Sequence, residues 1–129
     1  FFIAGIFDGT AEALKWHPAG FFNIFKKANR NFWDPAVSWL NKYKNGDAAQ
    51  GPRFWQSTKA LVFLTDGYHL LRWVKNNITI LAAMCFFAVS LIDGSPVLWY
   101  HFPVAFVLSY LAYTVGFSAA YDRMFGYKG

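Results

Sequence analysis

The chain has 129 residues, of which 56% are hydrophobic, 22% aromatic and only 15% charged, with a formal net charge of +5. Soluble domains carry about 45–50% apolar and about 25% charged residues, and a chain this small cannot bury such a surplus in one core. The balance argues against a disordered chain, a collagen-like chain and a soluble monomer, and the lone Cys85 argues against a disulfide scaffold. The class it points to is an integral membrane protein.

Residues 1–17 open with FFIAGIFDGTAEAL, an apolar stretch broken by Asp8 and Glu12. They read as the exit end of a first membrane helix; no basic segment or small-residue cleavage site marks a signal peptide. Residues 20–58 are too polar to span and too aromatic to be disordered. Phe21, Phe25, Ala28 and Phe32 repeat at helical spacing, with Asn23, Lys26, Lys27, Arg30 and Asn31 on the other faces. That pattern predicts an amphipathic helix in the headgroup plane, drawn to anionic lipid, or a helix packed on a partner subunit. After it comes an ordered loop rich in Asp-Pro, Asn-Gly and Gly-Pro turns, pinned at the interface by Trp33, Trp39 and Trp55.

Residues 59–75 contain an apolar stretch of only 12 residues, 60–71, that includes Asp66, Gly67 and His69. This length suits a half-buried or interfacial helix, though a spanning helix, or the first half of one long helix reaching Ile92, fits as well. Residues 76–92 and 102–121 are uncharged runs of 17 and 20 residues. At 1.5 Å per residue the second crosses about 30 Å of hydrocarbon. Asp93, Gly94, Ser95 and Pro96 form the turn of a predicted transmembrane hairpin, with Trp99 and Tyr100 in an aromatic belt. Ala112, Gly116 and Ala120 make a small-residue stripe for close helix approach. Its expected partners are Ala82, Ala83 and Ala88 of the preceding helix, or another protomer.

If the segment around Asp66 does not cross, all twelve Lys and Arg residues lie on one side of the bilayer. The positive-inside tendency favours that arrangement, with the basic loop and the C-terminus cytoplasmic. The expected fold is therefore all-α, a polytopic membrane bundle of three to four helices with an interfacial helix and an aromatic-rich loop, in one domain.

The string FWDPAVSWLNKYKNGDAAQGPRF, residues 32–54, and STKALVFLTDGYH, residues 57–69, resemble a group of small uncharacterised bacterial membrane proteins typical of the Bacteroidetes. These share FW-x-P-x-x-SW-x-NKYK-x-G-D-x-x-x-GP-x-F followed by ST-x-x-LV-x-x-TD-x-x-H. The likeness covers about a third of the chain. It implies a bacterial inner membrane and singles out the loop and Asp66–His69, but implies no activity.

Ionisable side chains near apolar segments are costly and mark candidate sites. Asp8 and Glu12 share a helical face, as do Asp66 and His69, and His17 follows Glu12. An acid and a histidine on each of two packed helices can hold a metal in a helical bundle. Were Glu12, His17, Asp66 and His69 to converge, a divalent metal would have two nitrogen and two oxygen ligands. Beside this stand plainer roles: Asp66 bonded to His69 or pairing with Arg72 and Lys75, and Asp8 and Glu12 facing water. A proton or ion relay, and haem ligation by His69 and His101, are further readings. Cys85 lies mid-helix with nothing nearby to activate it, and no phosphate loop or zinc-finger spacing is present. The basic charge follows from membrane topology rather than nucleic-acid binding.

The expected function is an accessory or scaffold subunit of a membrane complex or homo-oligomer, with membrane lipid and other membrane subunits as partners. The alternative is a membrane enzyme or transport-like protein with a polar or metal centre at Glu12, His17, Asp66 and His69. A lipid-binding module around residues 21–32 is a third. Whether the protein is an enzyme stays open at the level of sequence.

Overall fold

A computed structural model describes residues 1–92, 98 and 100–126. The predicted turn at Asp93, Gly94, Ser95 and Pro96, and Trp99 of the predicted belt, lie outside the described residues. The protein is all-helical, and among the described residues the only β-type pairing is one isolated antiparallel bridge, Tyr43 to Pro52.

Helix α1 (Phe2–Trp16) ends at His17 because Pro18, with no N–H to donate, opens α2 (Pro18–Ile24) at its first turn. The chain then takes a turn, and Asn29 caps a new short helix, α3 (Arg30–Trp33), by accepting a hydrogen bond from the Asn31 N–H at 2.9 Å. The continuous amphipathic helix expected over residues 21–32 is thus divided. Its stripe also points elsewhere: Phe21 is buried, packed on Phe25, Trp33 and Phe125 at ring distances of 5.4, 4.9 and 5.7 Å for Trp33, Phe25 and Phe125 respectively. Contact with Phe125, from the other end of the sequence, fixes the orientation of Phe21.

Helix α4 (Pro35–Ser38) follows, capped by Asp34, and short 3-10 turns lead through the aromatic-rich loop. Side chains within residues 32–69 hold this loop together. The Asn41 amide donates to the carbonyls of Asn31 (2.6 Å) and Thr65 (3.0 Å), and the buried Ser57 hydroxyl donates to the Lys42 carbonyl (2.7 Å). Gly46 and Gly51 have φ of +73° and +78°, a region that glycine adopts without strain. Of the three loop tryptophans, Trp33 turns inward against Gly67, where a Cβ would strike its ring, while Trp39 and Trp55 are exposed.

The segment 59–75 is not one helix. Residues up to Thr65 form turns and a 3-10 segment, Val62–Leu64, and α5 (Gly67–Ile92) begins immediately after Asp66. Asp66 is the cap: its carboxylate accepts the His69 N–H at 2.9 Å. From there α5 runs 26 residues without a break, about 39 Å at 1.5 Å per residue, and takes in the whole uncharged run 76–92. Helix α6 (His101–Ser118) continues into a π-type turn, Ala119–Met124. The combined rod, His101–Met124, is long and apolar enough to cross a membrane, and only 6% of its apolar stretch is buried by the rest of the chain.

The core is organised around α1. Contacts pair Asp8 with Lys75 and Glu12 with Arg72, so α1 is antiparallel to α5; they pair Phe2 with Gly116 and Gly9 with Ala120, so α1 is parallel to α6. The closest approach is between backbones. A Cβ added at Gly5 would overlap the Tyr113 carbonyl, one at Gly9 the Phe117 carbonyl, and one at Gly116 the Phe2 carbonyl. Gly116 and Ala120 of the stripe therefore pack on the Phe2–Gly9 stretch of α1, and not on the alanines of α5 as expected. Gly5-Ile6-Phe7-Asp8-Gly9 is itself a small-residue repeat of the type that brings helices together in membranes.

At one end of the bundle, His17 meets Tyr121, Gly20 lies on the Phe125 carbonyl and Lys15 lies over the Tyr68 ring. At the other, Phe1, Phe86 and Phe102 line one apolar groove. The basic loop and the end of α6 are consequently on the same end of the molecule.

Candidate functional site: a charged seam between three helices

Two acids one turn apart on α1 face two bases one turn apart on α5. The Lys75 ammonium lies 3.5 Å from Asp8 Oδ1, and the Arg72 guanidinium 3.2 Å from Glu12 Oε1. Both members of the Asp8–Lys75 pair are largely buried, whereas Arg72 keeps nearly half its side chain exposed. Helix α6 contributes Tyr113, whose hydroxyl donates to Asp8 Oδ2, and α5 contributes Tyr68, whose hydroxyl accepts from Arg72 at 3.2 Å. Glu12 Oε2 is taken by the Trp16 indole N–H at 3.1 Å.

The Asp8 carboxylate of α1 meets side chains from both α5 and α6. Its Oδ1 atom is buried and has the Lys75 charge beside it but no hydrogen bond. An ion at this depth needs an opposite charge close by, because the desolvation cost of an unpaired carboxylate exceeds what packing returns. Lys75 supplies that charge and Tyr113 a directed donor. Chemically the seam neutralises two acids and fixes the rotation of α1 against both neighbours.

The four residues proposed as metal ligands do not come together at one point. Asp66 and His69 do meet: His69 Nδ1 lies 2.9 and 2.8 Å from the two carboxylate oxygens of Asp66, and Asp66 is 1% exposed. Glu12 is instead bound to Arg72 and Trp16, and His17 Nε2 shares a hydrogen bond of 3.2 Å with the Tyr121 hydroxyl. Among the described residues, no three of His, Cys, Asp and Glu are placed to share a metal ion. The physical reason is that α1 presents Glu12 to Arg72, well past the Asp66 cap of α5, while the break at Pro18 turns His17 towards Tyr121 at the end of α6. The two histidines of the haem reading also separate: His69 belongs to the first turn of α5, and His101 accepts the Leu98 N–H at 3.1 Å at the start of α6, the far end of the bundle.

Lys75, Tyr113 and Tyr68 were missed as site residues by sequence reasoning. The signal for the lysine was present, since Asp8 and Glu12 at i, i+4 match Arg72 and Lys75 at i, i+3 when two helices run antiparallel. Tyr68 stands one turn before Arg72 on α5, whereas nothing in the spacing marks Tyr113, which reaches the seam only because Gly5, Gly9 and Gly116 let α6 lie so close.

No protein-family model, curated protein or solved structure matches this chain.

Proposed function

We propose that the protein is a small polytopic membrane protein that serves as an accessory or scaffold subunit, within a larger membrane complex or as a homo-oligomer. The observation that carries this reading is the bareness of α6: a rod of 24 residues, almost unburied, with Phe106 72% and Leu108 62% exposed. Exposed apolar area of this extent requires lipid or a partner around it. Helix α5 presents the same kind of surface through Ile80, Leu81, Met84 and Val89. Meanwhile the charged groups of α1 are engaged in holding the bundle. The basic loop gathered at one end supports an orientation with that end at the cytoplasmic face of a bacterial inner membrane.

The test is the mass of the particle extracted in native lipid. Other polypeptides at a fixed ratio, or several copies of this chain, are expected. A monodisperse single copy that turns over a substrate by itself would overturn the scaffold reading.

A further inference from the structure

A cavity of about 720 Å³ opens between α1, α2 and the end of α6. Its wall is apolar, built from Phe7, Ile24, Phe25, Trp33 and Met124 among others. Thr10 is the one hydroxyl in it, and its proton goes to the Ile6 carbonyl at 2.8 Å within α1. The one hydroxyl of the wall is already bonded, so the apolar lining suits an alkyl chain, and the volume is in the range of ligand pockets, about 300–1,000 Å³.

Lys26 and Lys27, in the turn between α2 and α3, also line this cavity. Other cations of the region are taken: Arg30 pairs with Asp34 at 3.6 Å, Arg72 with Glu12 and Lys75 with Asp8. Among the described residues, Lys26 and Lys27 have no carboxylate partner. Two adjacent unpaired ammonium groups beside an alkyl-lined cavity match a molecule with a hydrocarbon tail and an anionic head. The turn also belongs to the basic end of the bundle, where the π-type turn after α6 ends at Met124, the level at which lipid headgroups would lie.

We propose that this cavity holds an acyl chain of an anionic phospholipid, with its phosphate bound by Lys26 and Lys27. The site rests on the membrane reading above and goes beyond it by naming a lipid class and the residues that select it.

Trp33 in the wall provides the readout. The full chain is reconstituted in phosphatidylcholine vesicles with increasing brominated phosphatidylglycerol, or with brominated phosphatidylcholine, and emission is compared with that of Trp33→Phe. The Trp33 fraction is expected to be quenched at lower mole fractions of the anionic lipid, with each of Lys26→Gln and Lys27→Gln reducing that preference about fivefold. Both lysines are exposed, so these variants retain the fold. Equal quenching by the two lipids, unchanged in the double variant, would overturn the site while leaving the chain in the bilayer. Trp33 shielded from both lipids while other tryptophans are quenched would overturn it in favour of a protein segment filling the cavity. Loss of the anionic quenching on adding unbrominated palmitate would reassign it to a free fatty acid. No quenching of any tryptophan would remove the membrane reading and the site together.

Discussion

Asp66 illustrates how one carboxylate can look like a metal ligand and act as a helix cap. Its neighbour at i+3 gives it two bonds, one from the His69 backbone and one from the ring. The backbone bond satisfies an N–H that the first turn of a helix otherwise leaves open. Asp66→Ala is expected to cost about 1–2 kcal/mol in thermal unfolding of the detergent-solubilised protein. Asp66→Asn, which still caps, should lose less than half of that. If asparagine proves as damaging as alanine, the charge towards His69 outweighs the cap. The sequence made the Asp66–His69 pair legible because both lie within one turn, whereas the separation of Glu12 from His17 was not legible: it follows from the helix break at Pro18.

At the scale of elements, the packing of α1 on α6 depends on three glycines whose missing side chains admit an opposing backbone carbonyl. Backbone cannot step aside as a side chain does, so Gly9→Ala is expected to destabilise by at least about 1–3 kcal/mol and to lower the unfolding midpoint by several degrees. Ala88→Val, on an exposed position of α5, should change stability by less than about 0.5 kcal/mol. Equal losses in the two variants would contradict the assignment of α1 as the partner of α6. The two long helices were legible from the lengths of their uncharged runs. The division of residues 21–32 was not, because Phe21, Phe25, Ala28 and Phe32 fit one stripe equally well whether or not the chain turns at Phe25. Burial of Phe21 against Phe125, from the opposite end of the sequence, settles the matter.

For the whole molecule, α1 lies parallel to α6 and antiparallel to α5, and the loop after α2 returns to the same end as the terminus of α6. Under the membrane orientation proposed above, Thr58 and Arg123 are expected on one side of the bilayer and Leu98 on the other. Cysteines introduced singly at these three exposed positions, with Cys85→Ser throughout, should react accordingly with a membrane-impermeant maleimide. Labelling of Thr58→Cys and Leu98→Cys from the same side would rule out the orientation. Composition and charge spacing by themselves determined the all-helical class and the position of the long apolar helices, because helix rise and the scarcity of charges leave few other ways to satisfy such backbone. They also put Asp66 and His69 on one helical face, which left their pairing as one of several open readings. Only the tertiary structure decided that α1 is the centre, that its acids pair with Arg72 and Lys75, and that Lys26 and Lys27 stand beside an apolar cavity. Those outcomes depend on which faces of distant segments come into contact, and a periodic pattern states that a face exists without stating what will cover it.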